Sequence, residues 1–508
     1  MALLFGTPST TYSVKRTLLL LLCGAFALTA CDSNGPEVGA TNVTASATAT
    51  PDTDFNPAYI IVSNGRRFPR GLERKVEAAG GTITGRLDQI GLVFVSATDA
   101  GFAERFDATG VDLVPDAFVD SVNPRETVAD ESAATFEGAA PVRPNAEGIG
   151  ADEPYFDELY GLWAVDAPEA WAAGQTGEGV LVAVLDEGFD LTHPDLPMRA
   201  DLAASFTCWT SIDGVAYLSD DPADCEPAQY VLNDPFSHGT HVSGTIAALD
   251  NGIGVIGVAP DAEILPVKVL SEVLGGGAIS WIVQGIVYAT DQGADVINMS
   301  LGGLRALGQG PGTNNTAATL NVYRRAVDYA VKNGVTVITS AGNDSRDGDG
   351  NGPVRVTPAD FEGSLAISAT GSEGRVFEYF GLDPVDFGFE PIDYLRPASY
   401  TNYGTSLVDF AAPGGDYTLA FDPVYGLPNT FYVYDMILST GSLGSYYYSA
   451  GTSMASPHAA GVAAIIIGEN GGSMKPAHVE REMRSRALDV GKPGQDDYYG
   501  HGAVRTGY

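Results

Sequence analysis

Between Val180 and Thr339, short runs of branched apolar residues alternate with stretches of helical periodicity, and this alternation constrains the fold more than any other feature of the chain. The apolar runs are Val180 to Leu185, Glu263 to Val269, Asp295 to Met299 and Val335 to Thr339. Helical stretches follow His238, span Ile279 to Asp291, and run from Val322 to Lys332. Strands joined by helices lie parallel, because only a long crossover returns the chain to the same edge, and the helices then cover both faces. An α/β fold with a mostly parallel sheet is predicted, with reactive groups at the carboxyl ends of its strands. No fixed period recurs along the chain, which argues against solenoids and propellers.

At 508 residues the chain is longer than one core fills, and composition marks where folded units lie. Residues 1–31 carry Lys15 and Arg16, an apolar run from Leu18 to Leu28, and then Thr29-Ala30-Cys31, the order of an export signal. The run is short for a bilayer span, which takes about 20 apolar residues. Leu28-Thr29-Ala30-Cys31 resembles the lipobox of bacterial lipoproteins, which implies acylation of Cys31 and a place in the cell envelope; the alternative is a plain leader or uncleaved anchor with an incidental cysteine. Residues 32–56 hold almost nothing that fills a core and read as a tether. Residues 57–123 turn to strand and helix patterning and read as a small α+β unit. Residues 124–152, rich in Ala, Glu and Pro, read as a second, cleavable linker, and 153–508 as the main domain.

The formal net charge of −37 argues against nucleic acid as a partner, since a polyanion would be repelled. Of four cysteines, Cys23 lies in the leader and Cys31 is the acylation candidate, which leaves Cys208 and Cys225. Two remaining thiols in an exported protein suggest a bridge closing an acidic loop, two unpaired thiols being the alternative.

Three segments carry chemistry. Val182-Ala-Val-Leu-Asp-Glu-Gly188 is a hydrophobic strand ending in the carboxylate of Asp186, well placed to orient a histidine. Ser237-His-Gly-Thr-His-Val-Ser-Gly-Thr-Ile246 puts His238 at the mouth of a helix, with His241 one turn further in as a packing residue. Gly451-Thr-Ser-Met-Ala-Ser-Pro-His-Ala-Ala-Gly461 puts Ser453 at the N-terminus of a buried helix, where backbone N–H groups and the positive end of the dipole would meet an oxyanion.

In the chain order Asp, His, Ser, these segments resemble the subtilisin-like serine protease family from about Glu153 to Gly502. The resemblance implies a serine endopeptidase acting on extended polypeptides, with Asp186 orienting His238, His238 as the base and Ser453 as the nucleophile. Val337-Ile-Thr-Ser-Ala-Gly-Asn343 is similar to the family's oxyanion segment, which implies Asn343 as a donor and Gly342 beside substrate. Val296-Ile-Asn-Met-Ser-Leu-Gly-Gly303 is similar to the strand on which substrate pairs, through Ser300, Leu301 and Gly302. A structural calcium ion is implied by His193-Pro-Asp195-Leu and by the loop from Leu249 to Pro260, with Asp195, the Asn251 side chain and the carbonyls of Leu249, Ile253 and Val255 as ligands. Residues 57–123 resemble the family's inhibitory propeptide by position, size and strand pattern. That implies a self-processing precursor cut in the 124–152 linker, tethered by Cys31 before the cut and released after it.

Several features depart from the family. Glu187 stands where Ser or Thr is usual and brings a second carboxylate near the triad. Asp347-Gly-Asp-Gly-Asn351 resembles the start of a calcium loop but lacks the twelfth-position glutamate, so a solvated turn is the expectation. Insertions at 377–394 and 416–434 have no assignable counterpart, and Tyr446-Tyr-Tyr448 reads as packing or cleft wall. A catalytically silent scaffold is the competing function; an esterase is disfavoured because Ser453 lies outside any Gly-x-Ser-x-Gly elbow.

Overall fold

The computed structural model describes residues 58–120 and 148–508, apart from 66, 98, 100, 117, 151, 213–214, 220, 307–315, 350–353, 374, 376–384, 386–392 and 417–433. Cys31, the leader, the tether, most of the 124–152 linker and most of both insertions lie outside the described residues.

The first unit is a four-stranded antiparallel sheet of β1 (Ala58–Ser63), β2 (Gly81–Leu87), β3 (Leu92–Ala97) and β4 (Val111–Pro115), in the order β2-β3-β1-β4. Helices α1 (Leu72–Ala78) and α2 (Phe102–Arg105) join its strands. Alternate residues of a strand face opposite sides. Here both sides are apolar: Ile61, Val93 and Val95 pack on Leu72, Val76 and Phe102. Ile60, Val62, Leu92, Phe94 and Val114 pack instead on helices of the larger unit. A short strand β5 (Phe118–Asp120), which the sequence pattern did not reveal, leaves the small sheet for the larger unit.

In the larger unit the central sheet runs β17 (Asp393–Pro397), β16 (Ser364–Glu373), β14 (Thr336–Ser340), β12 (Val296–Met299), β6 (Leu181–Asp186), β10 (Glu263–Lys268), β7 (Ala204–Ser205), with β18 (Phe410–Pro413) paired to β16. Every pairing is parallel except β16 with β17. Helices α3 (Tyr160–Ala164), α4 (Ala167–Ala172), α5 (His238–Ala247), α8 (Thr452–Glu469) and α9 (Pro476–Arg486) and helices α6 (Ile279–Asp291) and α7 (Thr316–Lys332) pack into two separate cores. This is the subtilisin-like α/β architecture expected.

Helix α8 is apolar around its whole circumference and is buried from Thr452 to Ile467, as such a helix must be. Small residues let it in: a Cβ at Gly461 would lie 2.5 Å from the Val258 side chain. Packing is in place by Ile149, inside the stretch 124–152 read as linker. Ile149 lies against the core and the Gly150 N–H donates to Asp250 (2.9 Å). Among the described residues no helix is long and apolar enough to cross a membrane.

Candidate active site

The carboxyl end of β6 and the amino end of α5 bring Asp186 and His238 together. Asp186 is fully buried, and its Oδ1 accepts the Glu187 N–H (2.8 Å) and lies 2.8 Å from His238 Nδ1. A carboxylate only accepts, so this contact puts the ring proton on Nδ1 and leaves Nε2 as the base. The approach needs glycine behind the histidine: a Cβ at Gly239 would lie 2.4 Å from the Gly188 carbonyl. The Glu187 carboxylate accepts the His238 backbone N–H (3.2 Å), which places its charge at the positive end of α5. His241 is buried against the carbonyls of Ile437 (3.2 Å) and Tyr447 (3.1 Å), and burial lowers its pKa to about 3. It packs, as its position suggested.

Ser453 sits in the first turn of α8. Its hydroxyl donates to the Ser300 carbonyl at 3.4 Å, a long contact that is readily released, while the Ser300 hydroxyl donates to the Ser453 carbonyl (2.8 Å). A second polar tie joins Asn298 to Ser456 (2.6 Å), so the strand after Val296 clamps the nucleophile's helix.

Asn343 lies at the carboxyl end of β14. Its Oδ1 accepts from both the backbone N–H (2.9 Å) and the hydroxyl (2.7 Å) of Thr452, which fixes the amide the other way round at Nδ2. Among the described residues the buried Nδ2 has no partner. A buried donor without an acceptor is costly and rare, and one beside a nucleophile marks where negative charge would be received. Thr452 also accepts the Gly342 N–H (3.1 Å), and Gly342 has a left-handed φ of 97° with Asn402 packed behind it. Thr452 and Asn298 went unnoticed from sequence. Their neighbours in the motifs were the only signal.

Ser300, Leu301 and Gly302 follow β12 and are buried in part against α8; a Cβ at Gly302 would lie 2.7 Å from the Thr357 carbonyl. The sequence reading missed a second pairing edge. Strand β11 (Gly276–Ala278) takes β5 antiparallel, with Gly276, Gly277 and Ala278 opposite Asp120, Val119 and Phe118. Phe118 packs with Leu218, Leu274, Ala278 and Trp281. The buried Asp116 accepts the Ser280 N–H (3.1 Å) at the start of α6, and burial pushes its pKa up to about 6.

The proposed calcium ligands gather around the 249–255 loop. Asp195 accepts from Asn251 Nδ2 (3.1 Å), the Val255 N–H (3.2 Å) and the Tyr446 hydroxyl (3.1 Å), and burial raises its pKa to about 7. Glu153, from the N-terminal segment of the larger unit, meets the same loop. Its Oε1 accepts the N–H groups of Asn251 (2.6 Å) and Gly252 (2.8 Å), and its buried Oε2 has no partner among the described residues. Asp152 and Asp250 bring their carboxylates within 4.8 Å of that of Glu153. Carboxylates crowded together, one with an orphaned oxygen, fit a hard cation with oxygen ligands. With the Asn251 amide turned to offer Oδ1, Asp195, Asn251 and Glu153 would join the loop carbonyls of Leu249, Ile253 and Val255 as ligands.

Cys208 and Cys225 are joined, closing an excursion that contains the hairpin of β8 (Trp209–Ile212) and β9 (Val215–Leu218). Asp349 spends its carboxylate on Thr405 and Ser406 (2.7–2.8 Å), consistent with a turn at 347–349; residues 350 and 351 lie outside the described residues. Tyr446, Tyr447 and Tyr448 belong to β20 (Tyr446–Ser449), paired with β19 (Ile437–Thr440), where they pack and where the Tyr446 hydroxyl reaches Asp195.

The family model described as the subtilase family matches residues 177–502. Subtilisin NAT of Bacillus subtilis subsp. natto is 35% identical over 348 residues, 68% of this chain and 70% of that protein. Subtilisin of Bacillus pumilus is 34% identical over the same length and is 96% covered. Among solved structures, a lanthipeptide protease is 26% identical with a TM-score of 0.53, covering 69% of this chain and 93% of that one. The epidermin leader peptide processing serine protease of Staphylococcus aureus shares the fold at 19% identity, with a TM-score of 0.67 over 89% of this chain and 97% of that one.

Proposed function

The chain belongs to the subtilase family and is a subtilisin-like serine peptidase, and from that premise we propose that Asp186, His238 and Ser453 form its triad in a secreted, self-processing endopeptidase. The observation that carries the reading is the orphaned Asn343 Nδ2 beside the start of the helix bearing Ser453.

In this mechanism His238 Nε2 removes the Ser453 hydroxyl proton as Oγ attacks the scissile carbonyl. Asp186 holds the imidazole by Nδ1 and favours the imidazolium that forms. Asn343 Nδ2 and the Ser453 N–H receive the oxyanion. Collapse expels the amine, which takes the proton from His238. Water, activated by the same imidazole, then frees the acyl group from Ser453. Substrate lies as an added strand between Ser300–Gly302 and the β11 edge, with Gly342 beside the reacting carbonyl.

Residues 57–123 act as the inhibitory propeptide. Support comes from β5, which occupies the β11 edge, from the apolar face packed on α6 and α7, and from the 89% coverage in the fold comparison, more than the larger unit alone supplies. Cleavage falls between Asp120 and Ile149, because Ile149 and Gly150 already contact the larger unit. Cys31 carries the lipid in the bacterial envelope and stays with the propeptide, so that maturation releases the peptidase. Asp195, Asn251, Glu153 and the carbonyls of Leu249, Ile253 and Val255 would hold a calcium ion, which would supply structural stability to the N-terminal segment and the 249–255 loop.

The test is expression of the full chain, wild type and Ser453→Ala, followed by intact mass and by labelling with a serine-directed fluorophosphonate. A cut between Asp120 and Ile149 together with labelling, both lost in the variant, is expected. A folded wild type that is neither cut nor labelled would favour the silent scaffold. Fatty-acid analysis of the released fragments locates the lipid, and an acyl chain on the mature peptidase overturns the release step.

A further inference from the structure

We propose that Lys268 is a positioning residue for the Asp186–His238 pair, and that Glu226 makes this positioning depend on the disulfide-closed excursion 208–225. The inference rests on the peptidase reading above.

Lys268 ends the otherwise apolar interior of β10 and lies directly beside Asp186 in the sheet register. Its side chain is wholly buried. A buried ammonium is tolerated only when its protons are met by acceptors and its charge is balanced. Here the ammonium donates to Glu272 Oε2 and to the backbone carbonyl of Glu187, and Glu226 Oε2 lies 3.0 Å away as an ion-pair partner.

The Glu187 contact is the consequential one. The same residue donates its N–H to Asp186 Oδ1 and accepts the His238 N–H on its carboxylate. Glu187 therefore touches both residues of the Asp–His contact, through its N–H on Asp186 and its carboxylate on His238, and Lys268 holds the carbonyl of the same residue. A Cβ at the next residue, Gly188, would sit 3.5 Å from the ammonium.

The other end of the cluster reaches the disulfide. Glu226 follows Cys225, and its Oε1 accepts the indole N–H of Trp209 (2.7 Å), the residue after Cys208, and the Ser271 hydroxyl (2.6 Å). Both chain ends of the bridge thus fix one carboxylate, and that carboxylate fixes the ammonium. Glu272 is held independently, accepting the Val231 N–H (3.2 Å). Loss of the bridge frees Glu226 but not Glu272, so the lysine would keep its Glu272 and Glu187 acceptors while its direction relaxes.

The test compares wild type with Glu226→Gln, Lys268→Gln, Lys268→Arg and the paired Cys208→Ser/Cys225→Ser variant as full chains. Active sites are titrated with a fluorophosphonate and turnover is followed on a fluorogenic peptide. Glu226→Gln and the cysteine pair are expected to lower kcat about tenfold with KM within twofold, and Lys268→Arg to recover most of what Lys268→Gln loses.

The pH profile separates positioning from plain stability. The charged groups touching His238 are Asp186 and Glu187, the Lys268–Glu226–Glu272 cluster lies one contact further away behind the Glu187 carbonyl, and His241 is buried and neutral. Removing a negative charge moves the acid limb of kcat/KM to lower pH, and removing the positive charge moves it higher, each by about half a unit across a partly screened distance. If Lys268→Gln does not fold, the Glu226 and cysteine variants carry the test. Labelled, folded Glu226→Gln and cysteine variants with wild-type kcat and an unmoved acid limb overturn the proposal. A wild type that takes no label overturns the peptidase reading, and this one with it.

Discussion

The two sides of the cleft are held by different physics. Around Ser453 every fixing contact is neutral: Thr452 with Asn343 and Gly342, Ser300 with the Ser453 carbonyl, Ser456 with Asn298. Around Asp186 the fixing contacts are ionic or charge-assisted, running through Glu187, Lys268, Glu226 and Glu272. Neutral hydrogen bonds act only over contact distance and do not titrate, whereas buried charge acts over several ångströms and is felt by any proton nearby. The serine side should therefore control rate alone, and the aspartate side both rate and pH dependence.

The largest effect breaks the comparison at its centre. Ser453→Ala removes the attacking atom, so fluorophosphonate labelling disappears and turnover falls by several orders of magnitude. Asn343→Ala comes next. It should lower kcat about 10²- to 10³-fold, the cost of losing one oxyanion donor, as in the subtilisin case that sets this magnitude, with KM and the acid limb unchanged. A shifted pH profile in this variant would remove the distinction between the sides.

Smaller effects sharpen it. Glu187→Gln keeps the acceptor at the start of α5 but removes the charge, so the acid limb of kcat/KM should move down by about half a pH unit while kcat changes little. Chelation offers a control away from both sides. Removing calcium with EDTA should lower the melting temperature by about 10 °C without altering the initial rate of enzyme assayed before it unfolds. An unchanged melting temperature would dismiss a cation at Asp195, Asn251 and Glu153.

What was legible in the sequence follows the same division. The neutral side is written locally, since Gly451 to Gly461 and Val337 to Asn343 each place a reactive group and its supporters within a few residues. The parallel sheet was legible because period and alternation are local properties too. Long-range polar partners were not: Lys268 with Glu226 spans 42 residues of chain and Glu153 with the 251–252 turn spans 98 and 99, and no spacing rule links such positions. Thr452 was hidden for another reason, its role being to orient Asn343 across 109 residues while sitting inside a motif whose serine drew the reading. Strand β11 is Gly-Gly-Ala, a poor strand former that pairs only because β5 is laid beside it.

That borrowed edge gives the smallest effect and extends the comparison to the unit of residues 58–120. Asp116 is buried against the start of α6, and its pKa rises to about 6 from 3.8 because burial outweighs the hydrogen bonds from Ser280 and Ile279. A carboxyl raised on docking binds its proton more tightly in the docked state. Docking is therefore strongest where Asp116 is protonated in both states, below about pH 4, weakens as the pH rises from about 4 to 6, and is level above that. The two values together correspond to about 3 kcal/mol. In full-length Ser453→Ala protein, where no cut intervenes, amides of Gly276–Ala278 should lose hydrogen-exchange protection, corrected for intrinsic rate, between pH 4.5 and 6.5. Asp116→Asn should flatten that dependence. If the β11 amides exchange with the same pH dependence in both proteins, the charge at this edge has no bearing on docking, and the β5–β11 pairing rests on its backbone bonds and the Phe118 contacts alone.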